Sequence, residues 1–129
     1  MRIIGIGTDI VRVERIANMI SKHPDTFLKK VFTENEIAYC QPRKASVQHF
    51  AGRWAAKEAI LKAFGTGWAK GVQWTDIEVL NEMGGKPKVR LAGAARELCE
   101  KMGVVEVLIS ISHTTDNAVA FATATGHDE

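Results

Sequence analysis

Apolar residues are spaced differently in successive stretches of the chain, and each spacing predicts a particular element. β-Branched and other apolar residues dominate the first stretch, which predicts a strand, and stretches with helical spacing follow. Thr33 and Glu36 stand in the positions of a capping box, which predicts the start of a helix. The predicted elements of the first half are a strand at 2–9 and helices at 12–21, within 24–31, at about 33–41 and at about 46–64.

The second half of the chain predicts two hairpins with a helix between them. Met83-Gly84-Gly85-Lys86 separates two alternating stretches, as is typical of a β-hairpin, and Gly103 ends the helical stretch. The predicted elements are strands at 76–80 and 88–91, a helix at 93–102, and strands at 105–112 and 118–124 joined across 114–117. Because strands and helices do not alternate regularly, the pattern predicts an α+β fold, an antiparallel sheet packed with one long and several short helices.

The helix predicted at 46–64 has two charged residues next to its apolar face. On a 3.6-residue period that face consists of Phe50, Trp54, Leu61 and Phe64. Glu58 lies at the margin of the face, one turn before Lys62. A carboxylate in this place is unfavourable unless a cation neutralises it, and either Lys62 or a metal ion would do so. The alternative is an ordinary pair of Glu58 with Lys62, which stabilises a helix by only a few tenths of a kcal/mol.

The predicted first strand carries a second carboxylate in an apolar setting. Asp9 stands near the end of this strand, and Gly5 and Gly7 leave one side of it bare, so a ligand or another backbone could approach closely. We expect Asp9 to cap the helix that starts near Arg12, to bind a metal ion, or to do both. If Asp9 and Glu58 converge, they form an oxygen site of the kind that Mg²⁺ accepts.

The turn after the long helix, Gly65-Thr66-Gly67, could present backbone N–H groups to a phosphate. Glycine is also the usual residue that ends a helix, so the turn alone does not distinguish the two roles. Lys62 would face the same phosphates and offset charge that develops during transfer. Trp68 and Trp74 are expected in the core or in an interface rather than against a ligand.

Two segments in combination resemble a known family. They are Gly-Ile-Gly-Thr-Asp-Ile-Val at 5–11 and Trp-Ala-Ala-Lys-Glu-Ala-Ile-Leu-Lys at 54–62. Phe-Gly-Thr-Gly at 64–67 and Ser-Ile-Ser-His-Thr at 110–114 extend the resemblance to essentially the whole chain. With these segments the chain is similar to the 4′-phosphopantetheinyl transferases, most closely to their short bacterial type, although Trp54 stands where many members have Phe.

The resemblance implies that the phosphopantetheine arm of coenzyme A is moved to a serine of an acyl carrier protein, with release of 3′,5′-ADP. It implies that Asp9 and Glu58 hold Mg²⁺ against the pyrophosphate and that Lys62 stabilises the leaving diphosphate. The residues that it implies around the nucleotide end are Arg53, Gly65, Thr66, Gly67, Ser112, His113 and Thr114. The general base stays open between Glu58, Asp9 through a metal-bound water, and that water itself. Lys57 is expected either to extend its amine to solvent or to meet an anion.

The helix predicted at 12–21 has a basic side that suits a protein partner. Its inward stripe consists of Val13, Ile16 and Ile20. Another side carries Arg12, Arg15, Met19 and Lys22. A basic patch around an exposed methionine fits an acidic partner with apolar spots, and the resemblance implies that this partner is acyl carrier protein. The alternative is a basic face that only contacts solvent.

Length and composition limit the remaining possibilities. The 129 residues suffice for a single domain over 1–129, and the net charge of +2 is too small to indicate nucleic acid binding. The chain contains no apolar run long enough to span a membrane. Cys40 and Cys99 are expected to be reduced thiols, buried or half-buried, in a cytoplasmic protein.

The resemblance also implies an assembly. The longer transferases of the superfamily contain two similar halves with the site between them, and this chain has the length of one half. A homotrimer with three active sites at the clefts between subunits is therefore expected. Two other functions stay open: a non-catalytic trimer that senses a nucleotide or coenzyme A, and a small Mg²⁺-dependent phosphohydrolase or nuclease. The first leaves Asp9 and Glu58 without a role, and the second has no third acid in an obvious cluster.

Overall fold

The computed structural model describes residues 1–68 and 71–128. Its strands are β1 (Arg2–Arg12), β2 (Ile77–Asn81), β3 (Pro87–Leu91), β4 (Glu106–His113) and β5 (Asn117–Gly126). Its helices are α1 (Val13–Lys22), α2 (Pro24–Val31), α3 (Glu34–Cys40), α4 (Ser46–Phe64) and α5 (Gly93–Met102), with a single 3₁₀ turn described at Trp74–Asp76. The predicted α+β class and both hairpins are confirmed.

The larger antiparallel sheet described here has the strand order β1–β5–β4, and β2 pairs with β3 in a second sheet. Alanines occupy the face of the central strand β5 that packs against α4, at positions 118, 120, 122 and 124, and all four are buried. Because alanine is small, this face lets the helix approach closely. β1 and β4 flank β5 in register, so that Asp9 and Ile111 both lie opposite Ala120.

The glycines of β1 provide space for α4 rather than for a ligand. A Cβ on Gly5 would lie 1.9 Å from the carbonyl oxygen of Ala63, and one on Gly7 would lie 2.1 Å from that of Ala59. At the other end of the helix, a Cβ on Gly52 would lie 2.9 Å from Ile111. Of the two possibilities for the bare side of β1, the structure therefore shows close approach of another backbone. α4 crosses the sheet from β4 to β1.

α4 is buried on nearly all sides, so the prediction of a single apolar face was incomplete. It lies between the sheet and a layer that includes α1, α3 and β2. Its open stripe contains half-buried Trp54, half-buried Glu58 and exposed Lys62, each one turn apart. The placement of Trp54 on the core face is confirmed in part, because the half-buried side chain packs against the core but also lies on the stripe that the neighbouring elements leave open.

The start of the first helix also differs from the sequence interpretation. β1 continues to Arg12, which occupies the N-cap position of α1 and makes no side-chain capping bond. Asp9 lies three residues earlier, inside the strand and paired with Ala120, so it does not cap this helix. Of the two roles considered for Asp9, capping is therefore excluded.

Lys57 meets an anion inside the protein. Its Nζ lies 2.7 Å from Glu36 Oε1 and also donates to the carbonyl oxygens of Val31 at 2.6 Å and Trp74 at 3.1 Å. Both charged side chains are fully buried, and Glu36 also completes the predicted capping box with Thr33. Burial lowers the pKa of Lys57, and the charge of Glu36 opposes that shift. Lys57 thus ties α4 to α3 instead of extending to solvent.

The face of the larger sheet away from α4 is apolar and exposed in a single chain. Its exposed side chains are Ile6 at 59%, Ile10 at 67%, Leu108 at 41%, Val119 at 39% and Phe121 at 46%. They share this face because the buried alanines of β5 alternate with Val119 and Phe121, and directly paired residues point to the same side. No helix in the described part of the chain is both long and apolar enough to cross a membrane.

Candidate active site

Asp9 lies on the side of β1 that faces α4, where it meets Lys62. Its Oδ1 is 3.1 Å from Lys62 Nζ, and the same amine donates to the carbonyl oxygen of Thr8 at 3.1 Å. The Asp9 side chain is 13% exposed, and its Oδ2 is buried without a hydrogen-bond partner among the described residues. A buried carboxylate oxygen left unpaired is unfavourable, so this atom is suited to receive a cation.

Glu58 lies one turn before Lys62 on the open stripe of α4. At this spacing the two Cβ atoms are about 5–6 Å apart. Lys62 nevertheless pairs with Asp9, and the ion pairs of the described residues do not include one between Glu58 and Lys62. Glu58 Oε1 instead accepts a hydrogen bond from Trp68 Nε1 at 3.2 Å. The structure therefore joins Asp9 to Lys62, with Glu58 one turn before Lys62 on α4, and the simple Glu58–Lys62 pair was a wrong alternative.

These residues fit a magnesium ion by their chemistry. Mg²⁺ prefers oxygen ligands and is commonly held by one or two carboxylates together with water and substrate phosphates. Asp9 and Glu58 supply two carboxylates from rigid elements, and the unpaired Oδ2 of Asp9 is the atom that such an ion would satisfy. Lys62, with a side chain 53% exposed, adds a mobile positive charge beside them.

The turn at 65–67 begins as a helix cap. Gly65 adopts a left-handed conformation with φ 78°, and its N–H donates to the carbonyl oxygens of Leu61 and Lys62. This confirms the capping role of Gly65. A Cβ on Gly65 or Gly67 would contact nothing within 4 Å, so the turn borders open space next to the exposed Lys62. Thr66 is half-buried between these glycines.

Arg53 belongs to a second polar group, on the side of α4 away from the carboxylates. Its Nη2 donates to Asn81 Oδ1 at 2.6 Å, and its guanidinium lies 4.3 Å from the ring centre of Tyr39. Arg53 is buried, yet its Nε has no hydrogen-bond partner among the described residues. The exposed His113 at the end of β4 packs its ring 5.3 Å from that of His49.

Positive charge accumulates around this second group. Burial lowers the pKa of His49, and the neighbouring charges of His113, Arg53 and Arg43 lower it further. Repulsion among cationic groups indicates a place that an anion would stabilise. The unpaired Nε of Arg53 offers one donor for such an anion.

Ser112 and Thr114 precede and follow His113 in the sequence but differ in their surroundings. Ser112 is exposed and pairs with Val119, so it lies on the open face of the sheet. The Thr114 hydroxyl accepts hydrogen bonds from the N–H groups of Asp116 at 3.3 Å and Asn117 at 3.1 Å. It therefore holds the turn between β4 and β5.

The turn at 65–67 and His113 lie at opposite ends of α4 within one chain. His49, which contacts His113, precedes Gly65 by 16 residues of sequence, or about 24 Å along a helix. Within one chain the turn at 65–67 is therefore far from His113, whereas Asp9 lies across β5 from the strand that carries His113.

The basic side of α1 has the exposure that the sequence predicts. Val13 and Ile16 are buried, whereas Met19 is 38% exposed. Arg15 lies over the ring of Trp54, with its Cζ 5.0 Å from the ring centre. These residues border a groove of about 220 Å³ between α1, α2 and α4. A larger groove of about 650 Å³ between β3, α5 and β4 contains none of the predicted site residues.

The contact of Trp68 with Glu58 and the surroundings of Arg53 were missed at the sequence level. Trp68 was expected in the core or an interface, but its indole contacts the carboxylate of Glu58. His49 precedes Arg53 by one helical turn, a spacing that could have indicated a shared face. Tyr39 and Asn81 come from other elements and carry no local signal.

Comparison with known proteins gives consistent matches over most of the chain. A family model described as the 4′-phosphopantetheinyl transferase superfamily matches residues 5–123. The holo-[acyl-carrier-protein] synthase of Protochlamydia amoebophila (strain UWE25) is 47% identical over 119 residues, 92% of this chain and 95% of that protein. The crystal structure of the Neisseria meningitidis holo-[acyl-carrier-protein] synthase has a TM-score of 0.88 and 34% identity, covering 95% and 98% of the two chains. That of the Bacillus anthracis str. Ames synthase, in complex with CoA (3′,5′-ADP), has a TM-score of 0.81 and 36% identity, covering 98% and 100%.

Proposed function

Because the chain belongs to the 4′-phosphopantetheinyl transferase superfamily, as an enzyme of its holo-[acyl-carrier-protein] synthase group, we propose that it modifies acyl carrier protein. The reaction transfers the 4′-phosphopantetheine group of coenzyme A to a serine of the apo carrier and releases 3′,5′-ADP. The modified carrier serves fatty acid biosynthesis. The whole of 1–129 acts as one transferase domain.

The observation that carries this proposal is the buried, unpaired Oδ2 of Asp9 beside Lys62 and Glu58. Asp9 and Glu58 would hold Mg²⁺ there. When bound, the ion supplies Lewis acidity at the pyrophosphate of coenzyme A and aligns it for in-line attack. Asp9 needs no large rearrangement for this role, because the strand and helix that carry the two carboxylates are packed together through Gly7.

Lys62 has two partners in succession in this proposal. In the protein alone its amine neutralises Asp9, at 3.1 Å. With coenzyme A bound, the long and exposed side chain swings to the diphosphate and stabilises the negative charge on the leaving group. The serine proton would be taken by Glu58, by Asp9 through a water, or by that water itself.

The nucleotide end of coenzyme A is proposed to lie among Arg53, His113 and the turn at 65–67. Arg53 contributes a free Nε in a region of surplus positive charge, which suits the 3′-phosphate. His113 is exposed at a strand end, where it can contact the phosphate or the adenosine. Ser112 is proposed to border the nucleotide from the open face of the sheet, whereas Thr114 supports the site by holding the turn.

A homotrimer would bring the two separated groups together. The exposed apolar side chains on the open sheet face, defined above by Ile6, Ile10, Leu108, Val119 and Phe121, supply a surface that a second copy can cover. Three copies related by a threefold axis would place His113 of one subunit beside the turn at 65–67 and the carboxylates of the next, giving three sites at the clefts.

The carrier protein is proposed to dock on the basic side of α1. Arg12, Arg15 and Lys22 are exposed there, and Met19 supplies an adaptable apolar contact. Electrostatic attraction would speed the encounter with an acidic partner. Docking at this helix leads toward Glu58, because Arg15 lies over Trp54 on the open stripe of α4. We place the reaction in the cytoplasm, in keeping with the free thiols of Cys40 and Cys99.

Chromatography of the nucleotide products tests this function. We expect 3′,5′-ADP to form from coenzyme A only when apo carrier protein and Mg²⁺ are both present. Formation of a nucleotide product without the carrier would instead indicate a phosphohydrolase. Binding of coenzyme A with no product under any condition would indicate a sensor. Either result would overturn the proposed transferase.

A further inference from the structure

The indole of Trp68 contacts a carboxylate that the proposed function uses. Trp68 follows the turn after α4 and folds back, so that its Nε1 donates to Glu58 Oε1 at 3.2 Å. An indole N–H can donate but cannot accept a hydrogen bond or bind a cation. It therefore holds one oxygen of Glu58 without competing for a metal ion.

A stack of aromatic rings holds Trp68 in this position. Its ring centre lies 3.9 Å from that of Trp74, with the planes inclined by 34°. Trp74 in turn stacks on Trp54 at 5.5 Å and 27°. The backbone of Trp74 is anchored by the buried amine of Lys57, which donates to its carbonyl oxygen. At the far end of the stack, Arg15 of the basic helix lies over Trp54.

We propose that Trp68 is a positioning residue for Glu58, and that its stacking on Trp74 holds it in place. This inference rests on the proposed function, in which Glu58 is a metal ligand. A glutamate side chain has three rotatable bonds. Without the hydrogen bond from Trp68, the half-buried side chain of Glu58 would lose its conformational freedom only when the ion binds. The hydrogen bond from Trp68 orders the carboxylate beforehand, so that binding loses less entropy.

The main test compares Mn²⁺ binding by wild type and by Trp68→Phe, measured as loss of the free-ion electron paramagnetic resonance signal. Coenzyme A is present and carrier protein is absent, so no turnover occurs. Trp68→Phe keeps an aromatic ring in the stack but removes the N–H donor. We expect it to weaken Mn²⁺ binding about tenfold, as is usual when the partner of a metal ligand is removed. Binding as tight as in wild type would overturn the inference.

The matched control is Trp54→Phe, which removes an indole that does not contact Glu58. We expect its Mn²⁺ dissociation constant to stay within about twofold of wild type. If Trp54→Phe weakens Mn²⁺ binding as much as Trp68→Phe does, the effect comes from ring packing, and the hydrogen-bond account is overturned.

Glu58→Gln separates this inference from the proposed function. If Glu58→Gln binds Mn²⁺ normally, the metal site and the inference both fail. If it loses binding while Trp68→Phe does not, only the positioning role fails.

A spectroscopic readout on the wild-type protein covers the case in which Trp68→Phe does not fold. The indole N–H signals in a ¹H–¹⁵N spectrum can be assigned by their disappearance in Trp54→Phe and Trp74→Phe, which leaves that of Trp68. Addition of Mg²⁺ and coenzyme A should shift the Trp68 signal more than the other two. An unmoved Trp68 signal, with the ion bound, would overturn the inference.

In the carrier assay, Trp68→Phe should raise the Mg²⁺ concentration that gives half-maximal rate about tenfold and leave KM for the carrier unchanged. A merely structural defect would lower kcat or affect the carrier KM equally.

Discussion

At the scale of single residues, two lysines of α4 show how burial decides the role of a charge. Lys57 is fully buried and bonded to Glu36 and two backbone carbonyls, so it contributes to the fold. Lys62 is half-exposed and holds Asp9 by a single contact, so it can change partners. Asp9 keeps one oxygen unpaired in a buried place. Such incomplete pairing is unusual in a folded protein and marks the carboxylate for a ligand.

Asp9→Asn should lower the rate of carrier modification by about 100-fold, because the amide keeps the shape of the side chain but loses the charge opposite the cation. Thermal denaturation should show no loss of stability, since the buried unpaired carboxylate is itself unfavourable. Glu97→Gln, at an exposed position of α5, is the matched control and should keep wild-type activity. Full activity of Asp9→Asn would exclude Asp9 from the site.

Lys57→Met should lower the free energy of unfolding by about 3–5 kcal/mol, because it leaves the buried carboxylate of Glu36 without its cation. Urea denaturation measures this change. Adding Glu36→Gln to Lys57→Met should recover part of the lost free energy of unfolding. The control is Lys101→Met, at an exposed position of α5, which should change stability by less than about 1 kcal/mol. A loss as small for Lys57→Met as for the control would show that the buried pair contributes little.

At the scale of elements, local patterns account for most of what the sequence could predict. Caps, glycines and changes of period placed the ends of α3, α4 and α5 within a residue or two, because these signals act over one or two turns. The burial of α4 on all sides was not predictable in the same way. Its alanines carry a weak hydrophobic signal, yet their small size is what lets β1, β5 and other elements pack around it.

Local patterns also predicted only part of the candidate active site. Asp9 and Glu58 were predicted as a pair, because both are carboxylates in apolar segments and match a family pattern. The contacts of Lys57 with Glu36, of Lys62 with Asp9 and of Trp68 with Glu58 were not foreseen. Each of these contacts joins two different elements, or a helix and a later loop. The partner of a charged side chain therefore depends on how the elements pack and not on spacing along the sequence.

Arg15→Glu should raise KM for the carrier about tenfold and leave KM for coenzyme A within about twofold, because it reverses a charge on the basic side of α1. Steady-state kinetics at two salt concentrations measure this, and the difference from wild type should shrink at high salt. Lys101→Glu makes the same change of charge on α5 and serves as the control. Equal increases in both KM values for Arg15→Glu would point to a folding defect.

At the scale of the whole molecule, two features of one chain favour an assembly with further copies. The turn at 65–67 and His113 lie at opposite ends of α4, and an apolar sheet face is left open. Sequence resemblance implied a trimer, and these two features of the chain support it. Neither feature could be read from a local pattern, because each depends on how distant strands share a face.

Mixing two inactive variants tests whether sites form between subunits. Asp9→Ala and His113→Ala should each lose activity alone, since each spoils one side of every cleft. In randomly mixed trimers about a quarter of the clefts combine two intact sides, so activity should return to about a quarter of wild type. Mixing should follow dissociation and reassembly, with unmixed variants treated alike. No recovery in confirmed mixed trimers would place both residues in one subunit's site.

The central claim, that this chain transfers phosphopantetheine to acyl carrier protein, is tested most directly by the intact mass of the carrier. Apo acyl carrier protein is incubated with the protein, coenzyme A and Mg²⁺, and a parallel sample contains a chelator. We predict a mass gain equal to one phosphopantetheine group on the carrier serine, absent in the chelated sample and in Asp9→Ala. An unchanged carrier mass with folded protein and saturating Mg²⁺ would contradict the claim.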